Sequence, residues 1–444
     1  MLPRRALFGY SLLAMPLAMA ALPIYVHVPN YYATTLGAPL AWVGAILFAA
    51  RLLDAVQDPL LGYFSDRAAG GARQGRFSLI LLGVPLLAIG FVALFQPPVS
   101  GPVAVSLWLA ISLIVVYFGF SAASISYLAI GAELSADYHG RTRVSAARAA
   151  FGIVGVMLAA TLPELLAQRP PAMSTDGEAG GAVAGVVQFS LVFVPVLLVC
   201  SLLTLKLTPR PVPAKAVGEN TWRAMFAPFR HREFRWLLAV TIPSGVAGAI
   251  PATLILFFVD DVLRASHLSG LFLAVYFLSG ALAMPAWVAV SRRTGKKNAW
   301  LVGMLMAVAA FVWAFALGPG DALAFAAVCM LSGIAYGAEL ALPPSILADL
   351  VDRGGNEPGA NGAYFGLWQM IEKLNLAAAA GIALPLLAYL GYQPGSSGEG
   401  VLALSATYAL LPCAIKLLGG AALWLAPIDL GQADSAALAT EGRV

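Results

Sequence analysis

Residues 51–67 read RLLDAVQDPLLGYFSDR, and the first eight of them place Arg51, Asp54 and Asp58 inside a run that is otherwise apolar. The run extends from about Leu40 to Phe64, long enough to cross a bilayer as a helix. A carboxylate at the centre of such a helix costs roughly 2.5–3.5 kcal/mol on insertion scales, so charges there usually face a bundle interior and mark an ion or solute path. Asp54 and Asp58 stand one helical turn apart, with Arg51 a further turn along the same stripe. Two carboxylates so spaced suit a small hard cation, which prefers oxygen ligands. A structural pair in which Arg51 neutralises Asp54 is the alternative, and it leaves Asp58 without a role.

Working outward, the same apolar texture fills the chain. Of 444 residues 60% are hydrophobic and 11% charged, with a mean hydropathy of +0.84, which excludes an ordinary soluble protein. Twelve windows of spanning length recur. Six lie near Phe8–Tyr32, Leu40–Phe64, Phe77–Phe95, Val103–Leu134, Val144–Leu166 and Val186–Leu207. Six more lie near Phe234–Val259, Leu268–Val290, Ala299–Leu317, Ala322–Leu350, Ala363–Leu390 and Val401–Leu425. Lys and Arg collect before the first span and after even-numbered ones, which predicts cytoplasmic termini in a multi-pass protein of the cell (inner) membrane. The net charge of +4 is thereby a topology signal, and no nucleic-acid partner is expected. Cys200, Cys329 and Cys413 all fall within spans and read as small hydrophobes. Arg4, Arg5 and Ala18-Met19-Ala20 imitate a cleavable signal peptide, but the apolar run continues to Tyr32, which favours a retained first helix.

The polar stretch from Thr208 to Arg235, with Pro209, Pro211 and Pro213, separates six spans from six. The expected organisation is a six-helix half over 1–208, a cytoplasmic linker over 209–233, a second half over 234–427 and a tail over 428–444. Each half carries a short basic loop after its second span, GYFSDRAAGGARQGRF and VSRRTGKKNAW. Two parallel sets of six spans imply an all-α polytopic membrane protein of the major facilitator fold, with a solute site at the membrane midplane between the halves.

The segment D-x-x-x-D-P-x-x-G-x-x-S-D-R (Asp54, Asp58, Pro59, Gly62, Ser65, Asp66, Arg67), followed by Gly75-Arg76-Phe77, resembles the second-helix signature of the glycoside-pentoside-hexuronide:cation symporters. SYLAIGAELSADYHGRTRVSAAR (Ser126–Arg148) is similar to that family's fourth-to-fifth helix motif, and GAYFGLWQMIEKLNLA (Gly362–Ala377) to its eleventh helix. The resemblance implies a symporter that works by alternating access, with Asp54 and Asp58 as the site of a coupling cation, Na+ or H+, and no other cofactor or metal. An inward charge gains about 2.3 kcal/mol per 100 mV of membrane potential, enough to drive accumulation. It also implies that Arg148 and Lys373 line a central cavity. There Arg148 would hold solute oxygens, and Lys373 would pair with the carboxylates when the cation is absent. Snorkelling of Arg148 to the cytoplasmic surface and a local Lys373–Glu372 pair are the plain alternatives. Arg51, Asp66, Arg67, Arg76, Arg141 and Arg143 form the charged set expected to serve as gate and latch, or as ordinary topology charges.

The chain departs from the sugar-binding pattern of that family, which places an aspartate in the first and fourth helices. No acid occurs anywhere from Phe8 to Tyr32, and the place in the fourth helix falls near Ala123. Tyr25, Ser121, Ser124, Tyr127, Trp368 and Gln369 remain as lining, which suits an amphipathic or anionic small organic solute held by Arg148 and Lys373 more than a galactoside. A lysolipid-like amphiphile or an uncoupled facilitator is the alternative. The four histidines, His27, His139, His231 and His267, have no ligand spacing, so an enzyme is not expected. The working unit is expected to be a monomer in the bilayer.

Overall fold

A computed structural model describes residues 3–71, 75–134, 138–167, 178–209, 227–353, 360–395 and 398–427, and every regular element among them is helical. Among the described residues twelve helices are long and apolar enough to span a membrane. They are α1 (Arg4–Thr35), α2 (Leu40–Asp58), α3 (Phe77–Phe95), α4 (Pro102–Gly131), α5 (Ala146–Ala167) and α6 (Ala184–Leu207), then α7 (Arg232–Val262), α8 (Ser266–Thr294), α9 (Lys296–Ala316), α10 (Ala322–Val351), α11 (Gly366–Tyr389) and α12 (Glu399–Leu425). Helix α2 runs on to Gly71, beyond the apolar window. The chain is therefore a multi-pass, all-α membrane protein.

Contacts divide the chain into two units. The first is Met1–Ala216 with His267–Leu271 and Ala380–Ser396, and the second is Val217–Ser266, Phe272–Ala379 and Ser397–Val444. Two short segments from later in the sequence thus belong to the first unit, for a packing reason. A Cβ on Gly44 of α2 would lie 2.9 Å from the Leu384 side chain, and Ser269 donates a hydrogen bond to Glu164 of α5 at 3.2 Å.

In the first unit α3 packs on α4, α1 on α5 and α2 on α4. Small residues set the closest approach, since a Cβ on Gly83 would stand 2.7 Å from the Gly119 carbonyl oxygen. Aromatic rings fill the space between α3 and α6, where Phe91 and Phe193 lie 4.3 Å apart, centroid to centroid. The last carbonyls of α3 have no intrahelical partner. Tyr31 and Tyr32 of α1 supply it, donating to Phe95 O at 3.1 Å and Leu94 O at 2.7 Å. The outward faces carry Leu81, Ile89, Val103 and Ile111, each more than half exposed, as expected for a bundle solvated by lipid.

The second unit packs α7 on α12, α9 on α10 and α9 on α12. Its core gathers Phe234, Leu237, Trp287, Trp300, Leu342 and Trp368. The two halves repeat a detail of backbone geometry. Helix α1 ends in a π turn over Tyr31–Thr35, and α7 ends in one over Phe258–Val262. Leu36 N–H bonds to Tyr31 O and Ala38 N–H to Tyr32 O, just as Leu263 bonds to Phe258 and Ala265 to Val259. Gly37 and Arg264 hold the same place in this cap, with φ of 68° and 52°. The left-handed conformation is natural for glycine and strained for arginine.

Candidate functional site

Helix α2 reverses the amphipathicity of a soluble helix. Leu52, Leu53 and Val56 are 44%, 46% and 59% exposed, while Arg51 is 9% and Asp54 1% exposed. The charges point inward because lipid offers them nothing and the neighbouring helix α4 offers partners. Ser121 of α4 donates to Asp54 Oδ1 at 2.8 Å, and Gln57 donates to the same oxygen at 3.1 Å. Arg51 Nη1 reaches Asp54 Oδ2 at 3.4 Å. The guanidinium also lies over the Tyr117 ring, 4.4 Å from its centroid, a cation–π contact that strengthens where water is excluded. Tyr117 and Ser121 stand one turn apart on α4, so a single face of that helix serves both charges. Asp58, a turn beyond Asp54, is half-buried with its Oδ1 shielded from solvent.

This geometry sets Arg51 apart in place from the other members of the expected gate-and-latch set. It belongs to the buried Asp54 centre, because the adjacent carboxylate and the Tyr117 face hold it inside the span. Arg143 is exposed near the start of its helix. The side chains of Asp66, Arg67, Arg76 and Arg141 lie outside the described part of the structure, as do most of the linker and the tail.

The expected solute-lining residues divide by unit. In the first, Tyr25 is half-buried and within electrostatic range of Arg51, and Ser124 donates to Ser121 O at 3.5 Å. Tyr127 is only 2% exposed. Tyr10 covers its ring in a stack with centroids 4.5 Å apart and donates to its carbonyl at 3.4 Å. Packing thus covers one face of this ring. Arg148 is half-buried within electrostatic range of this tyrosine pair. In the second unit Gln369 is exposed, Lys373 half-buried and Trp368 buried. Trp368 donates Nε1–H to Glu372 Oε1 at 2.7 Å, which ties up the acid adjacent to Lys373.

A second charged centre went unread in the sequence. Lys416 of α12 pairs with Glu339 Oε1 of α10 at 2.7 Å, and Ser244 of α7 donates to the same oxygen at 2.6 Å. Lys416 Nζ also donates to Ser244 O at 3.5 Å. One turn before Ser244, the Thr241 carbonyl accepts from Asn375 Nδ2 of α11 at 3.3 Å. The signal was present, since Glu339 and Lys416 are charges inside apolar spans like Asp54, but neither sits in a recognisable motif.

Comparison with known proteins adds the family. The chain is 26% identical to the mouse sphingosine-1-phosphate transporter MFSD2B over 422 residues, covering 88% of this chain and 82% of that one. It is 22% identical to the inner membrane symporter YicJ of Escherichia coli K12, covering 89% and 85%. Among solved structures, the inward-facing, unoccupied form of a bacterial homologue of the human lysosomal transporter Spinster superposes with a TM-score of 0.71. It is 17% identical and is covered over 97% of its length, with 96% of this chain aligned, a likeness of fold. Twelve spanning helices, two repeated halves and buried charge inside the bundle are the build of a membrane transporter. The sequence profile described as MFS/sugar transport protein matches residues 7–430, and the chain belongs to that family of the major facilitator superfamily.

Proposed function

We propose that this protein is a cation-coupled symporter, moving Na+ or H+ together with an organic solute by alternating access, with both termini cytoplasmic in the cell membrane. The observation that carries the reading is Asp54, a carboxylate 1% exposed inside a spanning helix, held by a hydroxyl, an amide and a guanidinium. Burying that charge without function would be costly. The Asp54 carboxylate and the Ser121 hydroxyl, with Asp58 a turn away, supply the hard oxygen donors that an alkali cation takes, and a proton needs only the carboxylate. Arg51 is the resident counter-ion. When a cation occupies Asp54, the guanidinium yields and keeps its contact with Tyr117. Cation occupancy and side-chain arrangement are thereby linked, which is the differential interaction that coupling requires.

The solute is organic and carries a polar group. Helices α1 and α4 contain no acid, so the first unit supports an amphipathic or anionic molecule held by Arg148. The relatives named for sphingosine-1-phosphate and for lysophosphatidylcholine favour an amphiphile, and those named for glucuronide and isoprimeverose favour a sugar conjugate.

The test is thermal unfolding of purified protein with and without Na+ and across pH, followed by uptake of the best-binding solute into vesicles. Asp54→Asn is expected to abolish cation-dependent stabilisation and accumulation while folding is retained. Equal accumulation by this variant and the native protein would remove Asp54 from the coupling site, and uptake that only equilibrates in both would point to an uncoupled facilitator.

A further inference from the structure

The second unit contains a charged centre for which cation coupling has no use. Lys416 and Glu339 lie inside the spans α12 and α10, with side chains 10% and 13% exposed. As a device for stability the pair is poor, since buried ion pairs seldom outperform well-packed apolar residues of the same volume. Its hydrogen bonds are also incomplete in an orderly way. Two bonds reach the carboxylate, from Lys416 and from Ser244, and both fall on Oε1. Among the described residues Oε2 accepts from none. The Lys416 ammonium has three N–H donors and spends two, on Glu339 Oε1 and Ser244 O.

Space adjoins the open oxygen. Gly248 follows Ser244 by one turn of α7, on the same face. A Cβ built on Gly248 would meet one atom within 4 Å, Glu339 Oε2 at 3.9 Å. The neighbouring Gly245 is the opposite case, since a Cβ there would run into the Asn375 side chain, 2.8 Å from its Cγ. Gly245 is a packing glycine, and Gly248 leaves a gap beside a carboxylate. Both Gly248 and Glu339 are partly exposed, so the gap is open to a ligand.

We infer that Glu339, Lys416 and Gly248 form a solute subsite that receives a hydroxyl group. The charge of Glu339 is already balanced by Lys416, so a second cation would have to displace the lysine, whereas a neutral O–H needs only an acceptor. Glu339 Oε2 accepts the hydroxyl proton, and the third Lys416 N–H is left to meet a neighbouring solute oxygen. This inference rests on the transporter reading and adds the substrate chemistry that the acid-free α1 and α4 lack. Sugars and lysolipids both carry such a hydroxyl, so the chemistry is shared and the experiment separates the sources.

The full-length purified protein is titrated by thermal shift with melibiose, glucose and 1-acyl lysophosphatidylcholine, each beside an analogue lacking one hydroxyl. The expected result is that a probe from one class stabilises the native protein, and that one of its deoxy analogues binds at least about tenfold more weakly, the effect of losing one buried hydrogen bond. Gly248→Val fills the gap without adding or removing a charge. It is expected to abolish this discrimination while unfolding near the native temperature, as is Glu339→Gln where it folds. Gly248→Ala, whose Cβ makes only an ordinary contact, is the folding control. The inference is overturned if no hydroxylated probe binds, if the deoxy analogues bind as well as their parents, or if Gly248→Val discriminates normally. Asp54→Asn keeps the two proposals apart: loss of Na+ or pH dependence with hydroxyl discrimination intact supports coupling and subsite separately. Discrimination without any cation dependence in the native protein would sink coupling alone.

Discussion

Arg51 Nη1 stands 3.4 Å from Asp54 Oδ2, three residues apart on one membrane-spanning helix, and both side chains are buried. A pair this close, in a lipid-facing helix with leucines on its outer face, exists because each charge makes the other tolerable. Arg51→Ala leaves the Asp54 carboxylate buried without its counter-ion. It is expected to lower stability by about 3 kcal/mol, and Arg51→Ala with Asp54→Asn is expected to recover most of that loss. Thermal unfolding of the three variants in detergent closes the cycle, and strictly additive losses would show that the pair does not interact.

Ser121 contributes one hydroxyl to Asp54 at 2.8 Å. Ser121→Ala removes one oxygen from the proposed cation seat and is expected to raise the half-saturating Na+ concentration in the stabilisation assay by about threefold to tenfold, the equivalent of one hydrogen bond or ligand. Ser124→Ala, on the next turn with its hydroxyl on the Ser121 carbonyl, is expected to leave that concentration unchanged. Equal responses from both variants would remove Ser121 from the seat.

Lys416 and Glu339 make the corresponding stability case in the second unit. Lys416→Met strands a carboxylate that keeps only the Ser244 hydroxyl, and a loss of about 3–5 kcal/mol is expected. Adding Glu339→Gln to it is expected to restore native stability or exceed it. A double variant less stable than Lys416→Met would mean that the carboxylate has further partners.

Arg264 occupies with φ 52° the place that Gly37 fills with φ 68° in the other half. Its side chain is exposed, so replacement costs no packing. Arg264→Gly is expected to stabilise by about 1 kcal/mol through relief of left-handed strain, and Gly37→Arg to destabilise by about the same amount. Nothing crowds a Cβ on Gly37 within 4 Å, which leaves backbone strain as the cause read out by thermal unfolding. Opposite signs from the two exchanges confirm the equivalence of the caps, and like signs refute it.

The twelve spans were legible because the bilayer asks for length and apolarity, both of which are local. Asp54 was legible for the same reason, as a charge where none is expected. Arg51 was grouped with the loop arginines, and charge alone could not show that it is stacked on Tyr117. The stack of Tyr127 with Tyr10 was not legible, because it depends on how α1 meets α4. Glu339 and Lys416 obeyed the rule that exposed Asp54, yet without a motif to frame them each looked like an isolated charge within its span.

By itself the sequence determined the membrane class, the number of spans and the buried charge of α2. Hydropathy acts along the chain, and each span meets the lipid requirement on its own. Only the tertiary structure decided what each charge holds. Ser121 lies 67 residues from Asp54 along the chain, and the pairing of Lys416 with Glu339 joins two helices. Such partners depend on the rotation of each helix about its axis and on which face its neighbour presents, quantities that packing sets and that no local pattern encodes.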